Sequence, residues 1–260
     1  MRWLVCLPLL FVPGPCKAWD TTPHRRITKA ALDALPARLL NRFGKEAAPL
    51  VEIYCMYPDR YVEMASYGFV RNSPGPRTVS EILNYCVRPD GELLHGATGD
   101  RDMDFGSLQY LFENIVANSS RNRPDEAAKY AGVLSHFIAD SLSPPHAVTP
   151  ERLLDMKPWW LSAGGVNIHS AIEKSLPEFA LSGRAPRMAG AGILPAVQAV
   201  LEQCYAGAAQ NRKNLPSMVK AACERDEPTL DIYRRQAGVK AAEILADALY
   251  AVLRIGEGVR

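Results

Sequence analysis

The sequence predicts an all-α fold, a single multi-helix bundle whose helices are joined by long loops. Apolar residues recur at the three- and four-residue spacing of a helix face, and the alternating pattern of strands is absent. Two such apolar stripes are Ile27, Ala31, Ala34 and Leu35, and Leu108, Leu111, Phe112 and Ile115.

Three helices and three loops can be placed individually. A helix is expected over 124–142, because proline occupies its first turn, two acidic residues follow beside the positive end of the helix dipole, and Pro144-Pro145 ends it. A second helix is expected over 168–181, with a kink at Pro177, and a long alanine-rich closing helix over 236–255. The glycine, proline and polar content predicts loops over 72–78, 91–104 and 147–165.

The first eighteen residues are typical of a signal peptide. Arg2 precedes an apolar run over 3–12, which is much shorter than the roughly 20 residues that cross a bilayer, and Ala18 fits a signal peptidase site. We therefore expect a secreted or periplasmic protein with one domain over 19–260, beginning at Trp19. Removal of Arg2 and Lys17 leaves 28 basic and 28 acidic residues, so the net charge gives no general attraction to polyanions.

Cysteine usage agrees with export. Four cysteines remain after residue 18, and an even number in an exported protein favours two disulfides. We expect the pairs Cys55–Cys86 and Cys204–Cys223. A cysteine-based metal site is the weaker alternative, because no CxxC spacing occurs.

Histidines and carboxylates form two pairs at helical spacing. His136 and Asp140 are four residues apart in one predicted helix, and His169 and Glu173 are four apart in the next. Side chains at this spacing share one helix face, and imidazole and carboxylate groups are ligands that zinc accepts. His146 follows six residues after Asp140 and can turn back over the helix end.

Such pairs also arise as ordinary surface contacts worth a few tenths of a kcal/mol. The surroundings of the first pair favour a buried site instead, because the helix is apolar on most of its faces and a buried aspartate needs a partner. The apolar residues in question are Val133, Leu134, Phe137, Ile138 and Leu142.

The segment 136–147, HFIADSLSPPHA, resembles the HxxxDxxxxxH signature of the superfamily that joins bacterial zinc-dependent phospholipase C with the fungal single-strand-specific nucleases. That family binds three clustered zinc ions through an N-terminal Trp and a set of His, Asp and Glu ligands. Candidates occur here in the same chain order: Trp19, His24, Asp59, His95, His136, Asp140, His146, His169 and Glu173. All five histidines of the chain are used.

The resemblance implies a trinuclear zinc cleft within the bundle. One zinc would be held by Asp59, His95, His136 and Asp140, and a second by His146, His169 and Glu173. The third would be held by the amino group and carbonyl of Trp19, by His24 and by a shared Asp140.

The implied activity is zinc-dependent hydrolysis of phosphodiester bonds. A water bridging two of the ions would attack phosphorus, with Asp59 as the catalytic carboxylate, and the remaining ion would stabilise the leaving oxygen. No serine or cysteine nucleophile is needed, and a monomer is expected.

Three assignments have alternatives. Asp90 competes with Asp59, because 36 residues separate Asp59 from His95. His24 can be a polar residue in the first turn of its helix, and Trp19 can be a core aromatic residue.

The substrate also stays open between a phospholipid and single-stranded nucleic acid. The spacings from Trp19 to His24 and from His146 to His169 resemble those of the nucleases, whereas Glu173 and the YPD context of Asp59 resemble those of phospholipase C. Choline-preferring members carry an acidic residue and an aromatic residue where this chain has Thr22 and Arg60. This difference weakens a preference for phosphatidylcholine and makes Arg60 a candidate substrate-binding residue.

Two tryptophans and the charge bear on the same choice. Trp159 and Trp160 suit peripheral contact with a membrane or stacking on a base, and the lack of a basic stripe favours the phospholipase C interpretation. A third interpretation, from another class, is a protein that stores or senses zinc without turnover.

Overall fold

The computed structural model describes residues 21–60, 85–86, 88–89, 104–159 and 166–258. Across these residues the chain forms helices and no strand, which confirms the all-α prediction. The α-helices are α1 (Thr21–Asp33), α2 (Ala37–Leu40), α3 (Ala47–Glu52), α4 (Phe105–Ser120), α5 (Pro124–Ser141), α6 (Pro150–Asp155), α7 (Ile168–Glu173), α8 (Ile193–Glu224) and α9 (Glu227–Gly258). Short 3-10 turns are η1 (Gly44–Glu46), η2 (Tyr54–Met56) and η3 (Pro144–Ala147).

The helix α5 lies at the centre of the bundle. It begins and ends within a residue of its predicted bounds, and its side chains from Ala127 to Asp140 are almost all buried. It packs against α1, α3, α4, α9 and η2. The two predicted apolar stripes face this core, with the side chains of Leu108, Leu111, Phe112 and Ile115 fully buried. A polar residue on α5 is therefore held away from bulk water unless it borders a cleft.

The C-terminal quarter of the chain is a pair of long helices, α8 and α9, which pack along each other. The chain leaves α8 at Arg225, whose positive φ of 58° ends the helix, and Asp226 accepts a hydrogen bond from the Thr229 amide at the start of α9. The predicted closing helix over 236–255 is confirmed but is longer in the structure. The helix α8 was not predicted in detail.

Two predicted elements differ from the structure. The helix expected over 168–181 ends at Glu173, and the chain is irregular from there to Pro177, where a proline cannot donate to a helix. The loop expected over 147–165 contains α6, because Thr149 accepts a hydrogen bond from the Arg152 amide and caps this short helix. The predicted loops 72–78 and 91–103 lie outside the described residues.

The expected disulfides are not formed, because Cys55, Cys86, Cys204 and Cys223 are all free thiols. Cys204 and Cys223 lie in the same continuous helix, so 19 residues at 1.5 Å each separate them by about 28 Å, far beyond the reach of a disulfide. The Cys55 thiol instead donates to the Val51 carbonyl at 3.0 Å, and burial raises the pKa of Cys55 to about 12. The number of residues between Cys204 and Cys223 did not show that one uninterrupted helix separates them.

Among the described residues, no helix is both long and apolar enough to cross a bilayer. The proposed signal peptide over 1–18 lies outside them.

Candidate metal centre

Four buried side chains from three segments meet at the C-terminal half of α5. They are His24, Asp59, His136 and Asp140, called here the first group. The Asp140 carboxylate lies between two imidazoles, with Oδ1 at 3.3 Å from His24 Nε2 and Oδ2 at 3.1 Å from His136 Nε2. Asp59 Oδ1 is 3.6 Å from the same His136 nitrogen. One carboxylate thus offers a separate oxygen to each imidazole.

The two imidazoles of the first group lie parallel. The rings of His24 and His136 are stacked with centroids 4.0 Å apart and an interplanar angle of 7°. The Nε2 atom of His24 faces Asp140, but its Nδ1 atom makes no hydrogen bond to the described residues, although the side chain is fully buried. A buried polar atom without a hydrogen bond is costly, and a metal ion is one group that would satisfy it.

His136 is oriented from behind by the backbone. Its Nδ1 lies 2.7 Å from the carbonyl oxygen of Cys55, so Nδ1 carries the proton and donates, and Nε2 faces Asp140 and Asp59. Histidines that ligate metals are held in this way, with one nitrogen donating to a carbonyl and the other available to the ion.

A glycine permits this backbone approach. Gly132 precedes His136 by one helical turn, and a Cβ at Gly132 would lie 2.5 Å from the carbonyl carbon of Tyr54 and 2.8 Å from its oxygen. Only a residue without a side chain lets η2 lie directly on α5.

The protonation of the first group follows from its crowding. Burial lowers the pKa of His24, and the neighbouring His136 lowers it further. Burial acts in the same sense on His136, but the carboxylates of Asp140 and Asp59 outweigh it and raise the pKa of His136 to about 9. Burial would raise the pKa of Asp140, yet the two imidazoles hold it well below its usual range. Without a metal, His136 is therefore the residue of the first group that carries the additional proton, while His24 is neutral and Asp140 is ionised.

The second group consists of His146, His169 and Glu173. Glu173 Oε2 is 2.7 Å from His169 Nε2, and Glu173 Oε1 is 3.5 Å from His146 Nε2. The Ser143 hydroxyl donates to the same Oε1 in a very short hydrogen bond. Glu173 is buried and His169 is 15% exposed at its side chain, so the group borders the surface on the α7 side.

The helix α7 is fixed at both ends. At its start, the Asn167 side chain accepts from the Ser170 amide at 3.1 Å. At its end, the guanidinium of Arg234 on α9 donates from Nε to the Ile172 carbonyl at 2.8 Å, and from Nη2 to the Ala171 carbonyl. This clamp holds the turn that carries Glu173.

The two groups share one segment of chain, residues 136–146. The end of α5 supplies His136 and Asp140, and η3 supplies His146 after the double proline. The Ser143 amide donates to the Asp140 carbonyl at 2.9 Å while its hydroxyl donates to Glu173, so one residue contacts a member of each group. On the other side, Asn211 of α8 donates to the Leu142 carbonyl at 2.7 Å.

Seven of the nine predicted ligands are brought together in these two groups: His24, Asp59, His136, Asp140, His146, His169 and Glu173. Trp19, His95, the alternative ligand Asp90 and Trp160 lie outside the described residues. Either group could hold a metal ion.

Three supporting residues of the two groups were not predicted. Ser143 and the carbonyl of Cys55 contact Glu173 and His136 directly, and Arg234 contacts the two backbone carbonyls that precede Glu173. All three belong to residue types that occur throughout such helices. The nearest available signal was the position of Ser143 inside the His136–His146 segment.

Comparison with known proteins gives no match: no family model, no curated protein and no solved structure matches the chain.

Proposed function

We propose that this chain hydrolyses phosphodiester bonds with zinc ions held by the two groups, three ions in all when Trp19 and His95 complete the set. The observation that carries the proposal is the position of Asp140, with one carboxylate oxygen toward each of two buried imidazoles, His24 and His136. A structural role alone would not require two stacked histidines and a shared carboxylate in an apolar core.

The donor set suits zinc. Imidazole nitrogen and carboxylate oxygen are its usual ligands outside cysteine-rich sites, and the four cysteine thiols of the described residues are not members of either group. The carbonyl behind His136 supplies the outer hydrogen bond that such sites have.

Charge favours a phosphate substrate. The described ligands include three carboxylates, Asp59, Asp140 and Glu173, so two or three divalent ions leave a positive site in a chain with little net charge. When bound, zinc lowers the pKa of a water and polarises a phosphoryl oxygen.

Asp59 and Arg60 are the residues proposed to act on the substrate. Asp59 is 8% exposed, so its carboxylate borders the site and can accept a proton from an attacking water. The next residue, Arg60, has a buried Nη1 that makes no hydrogen bond to the described residues, and a phosphate oxygen would satisfy it.

A phospholipid is the favoured substrate, and the activity is then that of a phospholipase C. Trp159, in the segment between His146 and His169, is 90% exposed, and Leu154 on α6 is 64% exposed. An exposed tryptophan and an exposed leucine in the same segment suit the interface of a bilayer, whereas stacking on a base would use the aromatic ring together with a basic groove. Single-strand-specific nuclease activity is the alternative, on the ligand spacings given above.

The test begins with metal analysis of the protein beginning at Trp19, followed by hydrolysis of a chromogenic phosphodiester. Zinc together with hydrolysis supports the proposal, and zinc without hydrolysis of any phosphoester supports storage or sensing instead. Phosphatidylcholine, phosphatidylethanolamine and single-stranded DNA, incubated in parallel, then identify the substrate class.

A matched pair of variants tests the role of the carboxylate. Asp59→Asn is expected to lower hydrolysis by about 100-fold or more. Asp33→Asn, which alters an exposed partner of Lys29 far from the site, is expected to leave hydrolysis unchanged. Equal activity of the two variants would remove Asp59 from the reaction.

A further inference from the structure

The arginine on α9 that clamps α7 is buried to an unusual degree. The side chain of Arg234 has no exposed surface, and its guanidinium donates to Ile172 and Ala171 on one side. On the other side, Nη1 lies 2.8 Å from both Glu227 Oε2 and Asp231 Oδ1. Each of the three guanidinium nitrogens therefore donates at least one hydrogen bond.

Such an arrangement is not the simplest way to stabilise a bundle. Removing a charge from water is expensive, and an apolar side chain of similar volume often stabilises a core as well as a buried ion pair does. Glu227 and Asp231 are about half exposed, at 48% and 45%, so water can solvate them without Arg234. What only the arginine supplies is a planar donor that fixes two neighbouring carbonyls of α7.

The helix that it fixes needs such support. With six residues, α7 is far too short to be stable by itself. The packing of Ile168 and Ile172 against the α8–α9 side sets its position, but apolar contacts are non-directional and do not fix its rotation. The carbonyls of Ala171 and Ile172 immediately precede Glu173 in the chain. Their hydrogen bonds to Arg234 therefore set the rotation of the turn that bears Glu173.

We infer that Arg234 is a positioning residue of the second group: it aligns Glu173 and His169 toward the point that they share with His146. This inference rests on the proposed function, because it gives the clamp a purpose in metal binding. Loss of the clamp weakens the metal held by the second group and leaves the first group unaffected, since the ligands of the first group lie on α1, α5 and the segment after η2.

The test compares three variants in zinc titrations followed by thermal unfolding. Arg234→Met keeps most of the volume and removes the donors, and we expect zinc binding at the second group to weaken about 10- to 100-fold, the usual effect of losing an outer hydrogen bond. Arg234→Lys keeps the charge without the planar fork, and we expect an intermediate loss. His169→Ala identifies which class of bound zinc belongs to the second group.

Arg184→Met is the matched control. Arg184 also reaches α9, pairing with both oxygens of Asp247 at 3.0 and 2.6 Å. The Asp247 side chain is only 5% exposed, so the loss of Arg184 removes the charged partner of a buried carboxylate. We expect this control to lower the unfolding temperature at least as much as Arg234→Met and to change zinc affinity by less than twofold. General destabilisation is thereby separated from positioning.

A measurement on the metal-free protein completes the test. Hydrogen exchange at the α7 amides is expected to accelerate in Arg234→Met and to stay unchanged in Arg184→Met. Wild-type zinc affinity in Arg234→Met, or equal loss of zinc from both groups, overturns the inference alone. A wild-type chain that binds no zinc overturns the inference together with the proposed function.

Discussion

Replacing Gly132 by alanine tests whether the backbone of η2 orients the first group. The added Cβ would lie 2.5 Å from the Tyr54 carbonyl carbon, about 1 Å inside ordinary contact, and it meets backbone that cannot rotate aside. The turn η2, which carries Tyr54 and Cys55, must then move outward by about 1 Å.

That displacement has two calculable effects. Overpacking of this kind lowers the free energy of unfolding by about 1–3 kcal/mol. In addition, the 2.7 Å contact from His136 Nδ1 to the Cys55 carbonyl lengthens beyond hydrogen-bond range, and loss of such an outer contact weakens metal binding about 10- to 100-fold.

The assays are denaturant unfolding and zinc titration, with Gly256→Ala as the control. Gly256 also lies inside a long helix, but a Cβ there meets Ser119 Cβ at an ordinary 3.4 Å, so alanine should be neutral or stabilising by up to about 1 kcal/mol. If Gly132→Ala binds zinc as tightly as Gly256→Ala does, the reasoning about the Cys55 carbonyl is refuted.

Three further predictions concern the site. First, the pKa of His136 is raised to about 9 in the metal-free protein, and zinc needs the neutral imidazole, so zinc binding at pH 7 should release a proton. Zinc affinity should therefore increase about tenfold per pH unit up to about pH 9. Calorimetry in buffers of different ionisation enthalpy should detect the released proton, and buffer-independent heats would contradict the prediction. Second, Asp140→Asn should lower bound zinc more than any other single ligand change, measured by metal analysis, and full metal content would refute the shared role. Third, Trp159→Ala should lower hydrolysis of phospholipid vesicles several-fold and leave hydrolysis of a soluble phosphodiester unaffected. The control Ile232→Ala alters an exposed residue on α9 and should change neither rate. Equal rates of the two variants on vesicles would argue against membrane contact.

Sequence reasoning was most successful where chemistry and periodicity coincided. The pairs His136 with Asp140 and His169 with Glu173 are defined by helical spacing, so a correct helix assignment brings each pair together. The approach of His24 to Asp140 is different in kind, because it depends on how α1 crosses α5, and only the family resemblance suggested it.

The failures have a common physical origin. The disulfides were wrong because pairing depends on distance in space, and Cys204 and Cys223 are separated by the length of one continuous helix. Arg234 was not identified because a buried arginine in a helix looks the same in a sequence as a solvated one, until its partners in α7 are known.

The packing of α1 against α9 orders the events by which the chain acquires its structure. The helix that carries His24 is the first described, and it rests on the last. The same closing helix supplies the clamp on α7. Because contacts between such distant parts of a chain carry a high loop-closure cost, we expect neither group to be complete on a nascent chain that has not yet received α9. Loading of metal should consequently follow synthesis, and a chain truncated before residue 227 should remain unloaded even though it contains every proposed ligand.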